Sequence, residues 1–166
     1  MAWDDADAVR RTAALKESVR AFDEPWSHPV TPQGVEGDLR HGWDGEPALT
    51  FLVTVDGVDV GTASYETTSY DNLHVAWLNL NVHPDHRRRG HGSAVFAFLM
   101  DRARADGKTS VGTDSWDLPG PRAFAARHGF EDKHGLDVTL MGGFWYWLAG
   151  IWVITYVIVY WYPRWS

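Results

Sequence analysis

Residues 82 to 92 read Val82-His83-Pro84-Asp85-His86-Arg87-Arg88-Arg89-Gly90-His91-Gly92, and this segment constrains the chain more than any other. An apolar run closes at Val82. A basic turn follows with Arg87, Gly90 and Gly92 spaced R-x-x-G-x-G. A helical pattern begins at once with Ser93, Ala94, Val95, Phe96, Leu99, Met100 and Ala103. A strand, a glycine turn and a helix start, in that order, turn backbone N–H groups and the positive end of a helix dipole toward one point. That arrangement suits a phosphate or pyrophosphate. Gly90 and Gly92 let the backbone approach an anion without a Cβ in the way. Arg87, Arg88 and Arg89 add positive charge beside it. No Gly-Lys-Ser/Thr follows, so this is not a Walker A loop. The first glycine of G-x-G-x-x-G is missing, so it is not a dinucleotide fingerprint either.

Periodicity places the remaining elements around this motif. Residues 5 to about 22 read as a helix with Ala8, Leu15, Val19 and Phe22 on one face. Thr31-Pro32 reads as an N-cap followed by proline at the first helical position, with a short helix to about Arg40. Leu49 to Val55 and Val58 to Thr67 are β-rich runs. Asp56-Gly57 joins them as a two-residue type I′ hairpin. His74 to Val82 is the next strand and Ser93 to Asp106 the next helix, closed by Gly107. A strand over Thr109 to Asp114, a helix over Pro121 to His128 and a strand over Phe130 to Leu140 complete the order. This is a mixed α/β layer fold around a central sheet.

Composition excludes several classes. The chain has 166 residues, enough for one domain with its own core, and carries a net charge of −7 with pI near 5.5. That balance argues against nucleic acid as the main partner. There is no cysteine, which removes disulfides, thiolate metal sites and a cysteine nucleophile. Asp4, Asp5 and Asp7 crowd the first residues where a secretory signal would be apolar, so a cytoplasmic location is expected. His83, Asp85 and His86 fall short of a metal site, because they lie on an exposed turn and no third cluster completes the set. No metal is expected.

Leu78-Asn79-Leu80-Asn81-Val82-His83-Pro84, followed by Arg87-x-x-Gly90-x-Gly92-Ser93, resembles the acyl-CoA-binding motif of the GNAT superfamily of N-acetyltransferases. Pro121-Arg122-Ala123-Phe124-Ala125-Ala126-Arg127-His128-Gly129-Phe130 is similar to that family's penultimate helix, which ends in Gly-Phe before a strand. The resemblance covers roughly residues 3 to 140. Its flavour is that of one half of an actinobacterial tandem, mycothiol-synthase-like GNAT. It implies a GNAT-like α/β fold, a mixed central sheet with helices on both faces. It implies acetyl-CoA as co-substrate, with pyrophosphate on Arg87, Arg88, Arg89, Gly90, His91, Gly92 and Ser93 and pantetheine along Leu80, Asn81 and Val82. The strand is expected to splay from its neighbour, and an acceptor amine, from a small molecule or peptide, to attack the thioester directly. Ala76 and Ala125 stand where many relatives place a glutamate base and a tyrosine acid. Glu66 and Asp114, on neighbouring predicted strands, are the candidate bases. Tyr65 and Tyr70 are candidate proton donors, and Trp116 with Asp117 are candidates for shaping an acceptor pocket. Two rival readings keep the scaffold without this chemistry, namely a non-catalytic CoA-binding module and a membrane-tethered interaction domain.

Beyond this domain, residues 141 to 166 form an apolar, aromatic tail with no charge from Met141 to Pro163. A helix from Phe144 to Tyr162 would span ~28 Å at ~1.5 Å per residue, against a hydrocarbon core of ~30 Å. Aromatic clusters at its two ends resemble interfacial belts. On that reading residues 144 to 162 tether the protein to the cytoplasmic face of a membrane. The rival is a final buried strand, since Ile151 to Tyr160 is rich in β-branched and aromatic residues. A third reading makes the tail foreign to the domain.

Overall fold

A computed structural model describes residues 1–131 and 146–156. The chain forms two compact units, Met1–Asp114 and Ser115–Ser166. The first opens with helix α1 (Ala6–Asp23), N-capped by Asp5, whose carboxylate accepts from the N–H of Ala8. Helix α2 (Pro32–His41) starts as Thr31-Pro32 foretells, with the Thr31 hydroxyl accepting from Gly34 N at 3.1 Å. Val9 and Ala13 of α1 pack with Val35 and Leu39 of α2 in a small core of their own. The buried face of α1 is therefore Val9, Thr12, Ala13, Leu15 and Val19, and the expected Phe22 is exposed. Phe22 instead lies beside Arg87, whose guanidinium stands 5.3 Å from the ring centroid.

Strands β1 (Leu49–Val55), β2 (Val58–Glu66), β3 (Val75–Val82) and β4 (Ser110–Gly112) form one sheet in the order β1-β2-β3-β4. Asp56 and Gly57 both hold positive φ, 49° and 79°, as a type I′ hairpin requires. β2 and β3 pair antiparallel from Gly61–Val82 to Glu66–Trp77, whereas β3 and β4 pair parallel from Val75–Ser110 to Trp77–Gly112 only. β4 is shorter than the Thr109 to Asp114 run suggests, since its ladder stops at Gly112. There a Cβ would lie 2.8 Å from the Trp77 ring.

Helix α3 (His91–Ala105) packs Leu99 and Ala103 on the sheet face that carries Ala63, Tyr65, Ala76 and Leu78. Lys16 of α1 meets the opposite set, including Thr50, Thr62 and Ser64. Helices thus cover both faces of a mixed sheet, the expected α/β arrangement. α3 begins two residues before the expected Ser93, because left-handed Gly90 is its N-cap. Its end is a Schellman motif: Lys108 N donates to Ala103 O and Gly107 N to Arg104 O.

In the second unit, helix α4 (Pro119–Arg127) starts on Pro119 rather than Pro121, the earlier proline taking the first helical position. It closes in the same motif around Gly129, with Phe130 N donating to Ala125 O at 3.0 Å and Gly129 N to Ala126 O at 3.3 Å. Residues 146–156 are helical, so the expectation of a strand from Ile151 fails over 151–156. Trp152 and Tyr156 stack one helical turn apart, 6.3 Å between centroids. Among the described residues no helix is long and apolar enough to cross a membrane. The expected strand from Phe130 to Leu140, the boundary at 140/141 and the ends of the 144–162 run lie largely outside the described residues.

Candidate functional site

The segment joining β3 to α3 is built from backbone conformation. His83 N donates to Val60 O at 2.9 Å and closes the sheet. Pro84–His86 make one turn of 3₁₀ helix, where sequence reading saw only a basic turn, and His83 Nδ1 accepts from Asp85 N. Arg88 and Gly90 then adopt left-handed φ, 62° and 87°. A Cβ at Gly90 would meet nothing within 4 Å, so the need for glycine there is conformational. Gly90 caps α3 with no side-chain acceptor. The first turn of a 15-residue helix therefore presents its dipole end without a neutralising cap from that position. His91, Gly92 and Ser93 form this turn and are half-buried, while Arg88 and Arg89 are exposed.

Arg87 has a different setting from its two neighbours. It donates from Nη1 and Nη2 to the two carboxylate oxygens of Asp23, at 2.9 and 2.5 Å, and from Nε to the Val82 carbonyl at 2.9 Å. This fork ties the end of α1 to the end of β3. Sequence spacing marks Arg87 as an anion contact, and its bond to Asp23, 64 residues away, has no local signal.

β3 itself presents the second part of the site. Leu80 is partly buried against the α3-side core, Val82 is half-buried and Asn81 is exposed. After Trp77 the β4 side of β3 has no ladder partner among the described residues. β4 ends at Gly112, so its ladder with β3 stops before the stretch that the resemblance assigns to pantetheine.

Glu66 ends β2, opposite Trp77, which is opposite Gly112 of β4. Asp114 lies two residues further on and is exposed. Glu66 is half-buried, and its carboxyl is pushed above the usual range by burial first, then by the charges of Asp44 and Asp114. The structure thus brings the two candidate carboxylates within electrostatic reach. Five residue steps of ~3.3 Å set this row about 17 Å along the sheet from Val82.

Tyr65 is not part of this row. Alternation turns it to the α3 side, where it is buried with Leu99 and Ala103. Its hydroxyl makes no hydrogen bond of good geometry, and burial, then the nearby Asp106 carboxylate, push its pKa up to about 12. Tyr70 is exposed and donates to Asp44. Trp116 and Asp117 belong to the second unit, where Asp117 pairs with Arg122. Among the described residues no three His, Cys, Asp or Glu side chains are grouped to hold a metal ion.

Comparison with known proteins agrees with this geometry. The profile of the Acetyltransferase (GNAT) family matches residues 12–130. The chain is 36% identical over 102 residues to the mycothiol acetyltransferase of Streptomyces griseus, covering 60% of this chain and 30% of that protein. It is 41% identical over 70 residues to the mycothiol acetyltransferase of Stackebrandtia nassauensis, covering 41% of this chain and 22% of that one. A tandem GNAT protein from the clavulanic acid biosynthesis pathway superimposes with a TM-score of 0.67 and 28% identity, over 78% of this chain and 42% of its own. An aminoglycoside N-acetyltransferase in complex with CoA shares the fold, with a TM-score of 0.56 and 18% identity, over 76% of this chain and 83% of its own. The chain thus spans less than a third of the two curated relatives and under half of the tandem protein. With the profile matched over residues 12–130, the chain belongs to the GNAT family of acetyltransferases.

Proposed function

We propose that the protein transfers the acetyl group of acetyl-CoA to an amine by direct attack. The observation that carries this reading is the junction of β3 and α3. Among the described residues the β4 side of β3 has no ladder partner from Leu78 onward, and the strand runs into a left-handed loop and a helix start without a side-chain cap. An open edge offers backbone hydrogen bonds to an extended amide chain such as pantetheine. The loop and helix start offer N–H groups to a pyrophosphate. Leu80, Asn81 and Val82 would line the arm, and Gly90, His91, Gly92 and Ser93 the pyrophosphate, with Arg88 and Arg89 supplying charge. Arg87, held by Asp23, sets the loop's position.

Glu66 would accept a proton from the acceptor ammonium, its raised pKa bringing it closer to the working pH of a general base. The freed amine forms the N–C bond as the C–S bond breaks, and the leaving thiolate takes a proton. Asp114 raises the basicity of Glu66 by its charge. With no cysteine in the chain, a covalent acyl-cysteine route is closed.

A second reading rests on Ala76 and Ala125, which stand where many relatives carry the base and the acid. On that reading this half binds CoA and does not turn it over. One experiment separates the two. Acetyl-CoA binding is followed by thermal shift, and thiol release by a colorimetric reagent, which meets no protein thiol here. Binding with amine-dependent thiol release supports the transferase. Binding without release supports the silent half. Gly90→Asp should abolish binding, because it strains a φ of +87° and sets a negative charge at the anion site. An unmoved melting temperature in millimolar acetyl-CoA would sink both.

A further inference from the structure

Part of the sheet face turned toward α1 is polar where folding alone calls for apolar side chains. Thr50, Thr62, Ser64, Asn79 and Asn81 share that face through the registers Thr50–Ser64, Ser64–Asn79 and Thr62–Asn81. With Lys16 of α1 they line a cleft of about 220 Å³, with room for several water molecules. A sheet face covered by a helix is normally hydrophobic. Thr62 is buried, Ser64 and Asn79 are half-buried and Asn81 is exposed, and none of the four makes a side-chain hydrogen bond among the described residues. Lys16 has no ion-pair partner among them either. The chain is acidic, at −7, so an ammonium without a carboxylate stands out against its surroundings. The cleft thus sets an ammonium with no ion-pair partner among the described residues beside hydroxyl and amide dipoles, which complements a ligand with one negative charge and hydrogen-bonding atoms.

The cleft also adjoins the proposed chemistry. Asn79 and Asn81 alternate with Leu80 on β3, the strand proposed to carry pantetheine. Ser64 lies two residues before Glu66, on the same face of β2. We propose that this cleft holds the carboxylate of the acceptor, so that the amines acetylated here are amino acids or peptides with a free carboxylate. A monoanion fits better than a phosphate dianion, because Lys16 is the only cation among neutral dipoles in the lining. The identity of the ligand as acceptor rests on the transferase reading. The cleft's preference for a carboxylate does not.

The test uses matched probes: β-alanine against β-alaninamide, and glycyl-L-alanine against glycyl-L-alaninamide. Acetyl transfer should favour each acid over its amide by about tenfold to a hundredfold in kcat/KM, the range of a charge-assisted hydrogen bond. Lys16→Met should collapse that ratio mainly through the KM of the acid, and Lys16→Arg should restore it. Circular dichroism of each variant verifies folding. Equal turnover of acid and amide by the parent, or a ratio unmoved in Lys16→Met, overturns the proposal. If no amine is acetylated, the transferase reading fails separately, and the cleft is read by NMR. The side-chain amide signals of Asn79 and Asn81 should shift with the acids and not with the amides, and a lack of that difference overturns the carboxylate site.

Discussion

At the scale of single residues, one step along β2 separates two fates. Tyr65 faces the α3 core and is a packing residue, while Glu66 faces the other way beside Asp44 and Asp114. Sequence reading names both as candidates, because residue type alone carries no face until the register is known. Glu66 ionises at a cost in the folded state, since burial and two like charges oppose it. Its folded pKa lies above the unfolded one, so stability falls as pH rises from the usual carboxylate range through the raised value. Glu66→Gln should therefore raise the melting temperature at neutral pH while lowering amine-dependent thiol release. A variant less stable than the parent at pH 7 would contradict that sign. Gly61 gives a second residue-scale prediction. A Cβ there would lie 2.6 Å from the Asn81 carbonyl oxygen, which is backbone and cannot swing aside. Gly61→Ala should cost roughly 1–3 kcal/mol in urea unfolding. A cost near zero would mean that β2 and β3 separate more easily than their register implies.

At the scale of elements, ends matter more than middles. The Schellman closures at Gly107 and Gly129 are legible in sequence because glycine is the residue that takes left-handed φ without strain. Starts are less legible. Two prolines compete to open α4, and a left-handed glycine rather than the following serine opens α3. The join between α1 and the motif loop is invisible in sequence, since it depends on Asp23 meeting Arg87. The two side chains are 20% and 31% exposed, so the pair is shielded more than a surface ion pair. A double-mutant cycle of Asp23→Ala and Arg87→Ala should show a coupling of about 1 kcal/mol or more in unfolding free energy. Asp23→Ala should also weaken acetyl-CoA binding although it touches no proposed ligand atom, because the loop loses its tether. Additive unfolding energies would show that the fork contributes nothing to the fold.

At the scale of the whole molecule, several carboxylates are held below their ordinary range. Glu17 is lowered to about 2, by hydrogen bonds from Arg20 first and by the N–H of Val30 second. Asp59 is lowered by Arg11, Asp44 by Tyr70 and Asp106 by Arg102. A depressed folded pKa contributes stability that is fully present above the unfolded value and lost as pH falls through the folded one. The protein should therefore lose stability between about pH 4.5 and pH 2. Glu17→Gln should be less stable than the parent at pH 7, and that gap should narrow toward pH 2. Urea titrations at both pH values check this, and a gap that widens in acid would reverse the assignment.

The sequence by itself determined the helices of the domain, the hairpin at Asp56-Gly57, the order of elements through α4 and the strand–loop–helix motif of a GNAT chain. These are local: periodicity, caps and turn residues act within a few positions, and the motif is one continuous segment. Tertiary structure decided the rest. Which residues of α1 are buried, how far β4 follows β3, and whether Arg87 meets an anion or Asp23 all depend on partners distant in sequence. The polar cleft beneath α1 belongs to the same class. Its residues come from one helix and three strands, and only the sheet register sets Thr62, Ser64, Asn79 and Asn81 on one face opposite Lys16.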